Sequence, residues 1–467
     1  MRRAVLLLAA VLAGCAAGPD FKHPELPAGA DYADAALPRG EPALAEWWTQ
    51  FQSPDIDALV REALASSPNV AAAGAALRAS EASLRSGSGV FWPRLDLAAS
   101  ATRNRISPFR LGAAGSAVMF NLVTLEAAVS YTIDVFGGNR RAVEKLSAGV
   151  DYERALEQAT LLTLTGNVVN AAIASGAYRA EIESLERLLA LQQREAALVE
   201  VQWNAGTAPY SAVVSAREQV AATQAALPAL RQRLAAANDL LATLSGSTPA
   251  QWKAVPPDFE RIALPAPIPL SLPSDLARQR PDIVAAEANL HAASAQVGIA
   301  TAALFPTITL SANGGGMAPD LSSAGENSAR FGSAGGTIDI PVFSGFSGIE
   351  EREAARELYE QAYAQYRQTV VNAFGQVADA LHAIDNDAQL ERAQREAHEL
   401  AVRQHELAQA NGAAGLASEQ QVNLVAQAVE ASRLNLIQAR AQHLQDSAAL
   451  YLALGRPWNA YAQAASR

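Results

Sequence analysis

The sequence contains one cysteine, Cys15, which closes the tetrapeptide Leu12-Ala13-Gly14-Cys15. A lone thiol cannot form an intrachain disulfide. The tetrapeptide resembles the bacterial lipobox, in which the thiol accepts a diacylglycerol before the chain is cut ahead of it. Upstream, Arg2 and Arg3 are followed by an apolar run from Ala4 to Leu12, nine residues long. That run is too short to span a bilayer, so residues 1–14 read as a removable signal peptide. The plainer reading is an ordinary secretory signal with an incidental cysteine. Ala16 stands where such lipoproteins carry Asp when they stay at the inner membrane, which points to the outer membrane.

No other chemistry assembles as readily. The six histidines are His23, His291, His382, His398, His405 and His443, and none belongs to a His-Glu-x-x-His pair. His398 and His405 lie seven apart on one helical face, as solvated positions often do. The chain has no Gly-x-Ser-x-Gly elbow, phosphate loop or second cysteine for nucleophilic work. These patterns imply no enzyme, no cofactor and no metal. A formal net charge of -11 without a basic cluster argues against nucleic acid.

The elements that would position any site are unusual. Hydrophobic residues make up 50% of the chain but aromatics only 6%, and alanine supplies much of the difference, as in closely packed helices. Residues 68–99 align with 281–312, matching Pro68 to Pro281 and Pro93 to Pro306. Residues 206–246 align with 415–455, matching Gly206 to Gly415 and Gly246 to Gly455. Two blocks in the same order indicate a duplicated unit, spanning 54–246 and 275–456. Between the halves, 247–274 is proline-rich and reads as an extended linker. Residues 15–53 form an extended amino-terminal segment and 457–467 a tail. Proline is absent from 139–203 and from 346–411, so each predicts a helix of about 100 Å at 1.5 Å per residue. In the second, Val370, Phe374, Val377, Leu381, Ile384 and Ala388 follow a heptad seam. Returning helices are expected over 211–245, with a kink at Pro228, and over 418–454.

Strands are predicted over about 93–106, 118–134, 306–316 and 330–342, each alternating with period two. Asp96, Glu126, Asp134 and Asp339 fall on the polar faces with Ser, Thr and Asn, while Leu, Ile, Val and Ala fall opposite. Such strands suit a half-buried sheet or the wall of a membrane barrel with a wet lumen. Four strands cannot close a barrel, and an open edge in hydrocarbon leaves backbone groups unpaired. Several chains must then share one, and arithmetic alone does not choose between two and three.

With these residues in view, the chain resembles the outer membrane efflux family, the TolC-like outer membrane factors, and especially their lipid-anchored NodT-type branch. The likeness is carried by Phe21-Lys22-His23-Pro24, Trp47-Trp48 with Phe51, and Tyr131-Thr132-Ile133-Asp134-Val135-Phe136-Gly137. It continues through Leu272-Pro273-Ser274-Asp275-Leu276, Arg280-Pro281-Asp282-Ile283, Phe305-Pro306-Thr307-Ile308 and Ala449-Leu450-Tyr451-Leu452-Ala453-Leu454-Gly455. The resemblance implies a mainly α protein with transmembrane β structure. Each protomer would supply four strands to a trimeric twelve-stranded β-barrel that continues into a long periplasmic α-helical barrel. The function implied is passive outer-membrane conduction of small molecules from an inner-membrane pump, RND type, through a periplasmic membrane-fusion adaptor. Two turns become adaptor-contacting tips, at Gly206, Thr207 and Ala208, and at Gly415, Leu416, Ala417 and Ser418. Many relatives carry an acid about nine positions after the tip glycine. Here Leu424 occupies that place, so the candidates for a pore constriction are Leu424, Asn423 and Glu419. The competing reading is a lipid-anchored periplasmic coiled-coil adaptor or scaffold, which leaves the alternating strands unexplained.

Overall fold

Ser53 starts the first long helix: its hydroxyl accepts the N–H of Ile56 at 3.4 Å, and Pro54 fills the first turn. The helix that follows, α1 (Pro54–Ser66), buries Ile56, Leu59, Val60, Ala63 and Leu64, the stripe of one helical face. The computed structural model describes residues 16–25, 46–107, 114–253, 256–265 and 279–455. Cys15, the leader 1–14, much of the linker and the carboxyl tail lie outside the described residues.

After α1 come α2 (Pro68–Gly87), β1 (Arg94–Ile106), β2 (Val118–Ile133), α3 (Gly138–Asn204) and α4 (Tyr210–Leu244). The second half follows with α5 (Pro281–Ala302), β3 (Thr307–Ala318), β4 (Arg330–Asp339), α6 (Ser347–Ala413) and α7 (Glu419–Leu454). Helices α3 and α6 are 67 residues each, about 100 Å. No helix among the described residues is long and apolar enough to cross a membrane. Helix α4 continues through Pro228. Strand β4 stops at Asp339, three residues before its expected end, because Pro341 has no N–H to offer a ladder.

The four strands form one antiparallel sheet in the order β1-β2-β3-β4. Over the helix-proximal part of the sheet its register sorts side chains by polarity, and at the loop end the pattern reverses, with Ile106, Val118, Phe120 and Leu122 on the polar face and Arg103, Arg105 and Asn121 on the other. Leu97 stands opposite Ala127, Val129 opposite Ala312 and Ile308 opposite Ile338, whereas Ser100 meets Thr124, Thr132 meets Thr309 and Asn313 meets Ser333. A slip by one residue would mix the faces. At Gly315 on β3 only glycine fits against β2, since a Cβ there would lie 1.9 Å from the Leu125 carbonyl oxygen.

The described chain divides into two compact units. One holds the sheet, residues 16–24 and the adjoining parts of α2, α3, α5 and α6. The other holds α1, α4, α7 and the remaining helical segments, around Trp48, Phe51, Ile173, Leu241, Ile262 and Leu444. Trp48 and Phe51 are at most 1% exposed, and each contributes about 2–3 kcal/mol by burial. The heptad seam of α6 joins this core: Val370, Val377 and Leu381 are buried, and Phe374 and Ile384 pack against it.

Candidate functional site

On the polar face of the sheet, Glu126 accepts a hydrogen bond from the Asn313 amide at 2.6 Å, and Ser333 bonds to the same asparagine. Asp96 pairs with Arg94 at 2.8 Å, and Asp339, opposite Thr307, ends β4 in an exposed position. These three acids therefore share one sheet face. Asp134 sits elsewhere. It lies just beyond β2, and its carboxylate accepts the N–H groups of Asn139 and Arg140 at 3.1 and 2.9 Å. It caps the start of α3, where a negative charge suits the helix dipole. Parity alone could not separate this role from that of the strand acids.

The two helical turns are built alike. Gly206 and Gly415 both have φ of 73°, left-handed values that favour glycine. The N–H of Thr207 reaches the Gln202 carbonyl at 2.9 Å, and that of Leu416 reaches the Asn411 carbonyl at 2.8 Å. Ser418 caps α7 by accepting the N–H of Gln421 at 3.1 Å. Thr207, Gly415 and Ser418 are exposed, Ala208 and Ala417 are half-buried, and Leu416 is 80% exposed. A Cβ at either glycine would meet nothing within 4 Å, so backbone conformation, not crowding, selects glycine there.

Beyond the second turn the three constriction candidates part company. Leu424 is exposed. Asn423 is buried, and its amide donates to the Leu191 carbonyl and to Glu195 on α3, both at 3.0 Å. Gln420 donates to the other oxygen of Glu195 at 2.7 Å. Glu419 pairs with Arg194 on α3. The side chains of Asn423 and Glu419 thus tie α7 to α3, and Leu424 alone of the three has none of its surface committed to a polar partner within the chain.

Several residues outside these candidates organise the site. Arg280 is 6% exposed and donates to the Ala453 carbonyl at 2.7 Å, to Gln376 at 2.8 Å and to both oxygens of Asp282. The Arg280-Pro281-Asp282 motif therefore fastens the start of α5 to the end of α7. In the unit holding the sheet, residues 16–24 form a strap. Arg141 donates to Asp20 and Glu144 at 2.7 Å each and to the Ala17 carbonyl at 3.3 Å. Phe21 stacks on His291 with centroids 4.3 Å apart, and His23 pairs with Glu287. Gly18 rests on Gly298, where a Cβ would come within 2.5 Å of backbone.

Asp387 on α6 faces Asp446 on α7. Desolvation, and then the neighbouring carboxyl, push its pKa up from 3.8 to about 6, and its Oδ2 is buried without a partner. A raised folded-state pKa means that the protonated form favours folding. That contribution is full below about pH 4 and is lost as pH rises through about 6. Asp387→Asn is therefore expected to raise the unfolding midpoint at pH 7.5 and to leave it unchanged at pH 4. The gain is about 1 kcal/mol once solvent screening of this half-buried pair is allowed for. Thermal unfolding at both pH values checks it, and an equal effect at the two would remove the carboxylate pair as its cause.

Comparison with known proteins fits this arrangement. The family model described as "Outer membrane efflux protein" matches residues 59–247 and 272–456. The chain is 30% identical to the Pyoverdine export outer membrane protein OpmQ of Pseudomonas aeruginosa, over 100% of this chain and 99% of that protein. It is 28% identical to a probable efflux pump outer membrane protein, TtgC, of Pseudomonas putida, over 98% and 96% of the two. The solved outer-membrane channel OprN superposes with a TM-score of 0.85 at 27% identity, covering 95% of this chain and 100% of that one. The outer membrane protein VceC from Vibrio cholerae gives 0.77 at 26% identity, covering 89% and 99%.

Proposed function

The chain belongs to the outer membrane efflux protein family and is an outer-membrane efflux channel, and from this premise we propose that three copies build one duct. The observation that carries the proposal is the open sheet. Its helix-proximal faces are sorted by polarity, and among the described residues β1 and β4 each pair on one side only. In hydrocarbon every unpaired backbone group costs several kcal/mol, so the edge of one copy is satisfied by the edge of the next. Three copies supply twelve strands. Asp96, Glu126 and Asp339 then line a wet lumen, and the apolar face meets lipid. Helices α3, α4, α6 and α7 of the three copies line the periplasmic part. The matching order and lengths of elements in the two halves support an ancestral duplication.

The partners are a periplasmic adaptor and an inner-membrane pump, with the adaptor seated on the turns around Gly206 and Gly415. Cys15 carries the lipid anchor, and mass spectrometry of the mature amino terminus reads it directly. A relative named for pyoverdine export and another named for an efflux pump support small-molecule cargo.

The tips supply the functional test. Because space around Gly415 is open, Gly415→Arg is tolerated sterically, and the left-handed backbone costs it about 1–2 kcal/mol. Export of a dye or drug by whole cells is expected to fall to background, with detergent-stable trimers intact. Loss of trimers with the same substitution would make the turn structural and not a docking surface.

A further inference from the structure

The apolar face of the sheet carries charge at only three places. Along β1 the outward positions are Leu95, Leu97, Ala99 and Ala101, and then Arg103 and Arg105. On β4 the matching face begins with Arg330 and continues through Gly332, Ala334, Gly336 and Ile338. All three arginines lie at the ends of their strands away from the helices, beside the 107–117 and 319–329 connections. No acid shares the face, since Asp96, Glu126 and Asp339 all have the opposite parity. The three side chains are exposed, and their guanidinium groups have no partner among the described residues. β1 and β4 are also the two edge strands, which become neighbours where copies join.

An arginine on the lipid face costs about 2–4 kcal/mol at the bilayer midplane and close to nothing at the interface. The apolar run from Leu95 to Ala101 spans about 20 Å of strand, or about 15 Å of membrane depth at the tilt of a barrel strand. Exposed Trp92, Ile340, Val342 and Phe343 continue the apolar band at the helix end, which leaves Arg103 and Arg105 at its far edge, where acyl chains give way to headgroups. A groove of about 440 Å³, lined by Leu97, Ala99, Leu125, Ala127 and Gly316 among others, lies on the helix-proximal side of the β1 pair. Guanidinium groups bind phosphate oxygens bidentately. A ligand with phosphates at one end and acyl chains at the other matches both features.

We propose that Arg103, Arg105 and Arg330 form a binding site for a phosphorylated glycolipid of the outer leaflet, its phosphates on the arginines and its acyl chains along the apolar strand face. The proposal rests on the reading that this face meets lipid.

The test uses purified trimers in mild detergent, with diphosphoryl lipid A, its fully dephosphorylated form, phosphatidylglycerol and inorganic phosphate as separate probes. Native mass spectrometry reads the bound fraction of each. Diphosphoryl lipid A is expected to bind tightest, weakening about fivefold for each Arg→Gln change and about a hundredfold for R103Q/R105Q/R330Q, at roughly 1 kcal/mol per interfacial cation. Equal binding of the dephosphorylated lipid by the unaltered protein overturns the proposal, as does unchanged affinity in the triple variant. Inorganic phosphate displacing the lipid at comparable concentration would reduce the site to a plain anion patch. Should the triple variant not assemble, R105Q alone and the lysine triple variant decide, with lysine, a point charge without the fork, binding more weakly than arginine but more tightly than glutamine. Conductance in planar bilayers is recorded in parallel. A conducting protein with no phosphate preference sinks this inference alone, whereas a protein that conducts nothing sinks the channel reading.

Discussion

Arg280→Ala is expected to lower the stability of the protein by about 3 kcal/mol, seen as a drop in the denaturant or thermal midpoint at neutral pH. The guanidinium serves three elements at once: Asp282 at the start of α5, Gln376 on α6 and the Ala453 carbonyl in the last turn of α7. Last-turn carbonyls lack a helical partner, and a cation there also meets the negative end of the dipole. Removing one member of a buried pair leaves the other desolvated and unmatched, which costs 3–5 kcal/mol when both are fully buried. Asp282 is partly open to water, so the lower end applies. Lysine should not rescue, because one ammonium cannot grip both oxygens of Asp282 and reach Ala453 as well. Gly455 gives a second handle on the same contact, since a Cβ there would press within 2.4 Å of Arg280 Cγ. A midpoint unmoved by Arg280→Ala would show that packing, not this pairing, holds the helix ends.

A comparable effect is expected in single-channel conductance. If Leu424 narrows the periplasmic end, the constriction is apolar and closes by crowding and dewetting. Glu419 and Asn423 cannot replace it, because Arg194 and Glu195 already engage them. A carboxylate gate titrates near pH 4 and binds divalent cations. This one should show little closure between about pH 5 and 8, and no block by millimolar divalents. Leu424→Ser should raise conductance severalfold, and Leu424→Asp should introduce divalent block where none existed. Conductance itself should favour cations, given Asp96, Glu126 and Asp339 on the polar sheet face, most strongly at low salt. Tight divalent block that survives Glu419→Gln would place the gate elsewhere.

The parts of the fold legible in the sequence are those governed by local period. Alternation assigns the sheet faces because side chains flip at every residue. Proline-free runs set the lengths of α3 and α6, and glycines mark the turns because few other residues accept positive φ. Long-range partnership was not legible. Asn423 and Glu195 are 228 residues apart, and nothing near either announces the other. Asp134 continues the polar parity of β2, and only the start of α3 four residues later reveals it as a cap. Arg280 was visible as part of a motif, yet its partners Gln376 and Ala453 come from two other helices. Asp387 and Asp446 look like ordinary solvated acids until α6 and α7 bring them face to face.

The strap formed by residues 16–24 has a consequence for the order of assembly. Its partners are Phe136 and Arg141 in the first half, and Glu287, His291 and Gly298 in the second. The contact between His23 and Glu287 closes a span of 264 residues, and contacts of such separation form late because the loop entropy must be met first. The segment that leaves the export machinery earliest is therefore among the last to find its place. Until both halves have crossed the inner membrane it has only part of its seat. A chain truncated after the first half should leave residues 16–24 open to protease, whereas the complete chain protects them. Residues 16–24 are therefore expected to be fixed beside the sheet only after the second half has arrived, so their protection from protease reports that the chain is complete through α5.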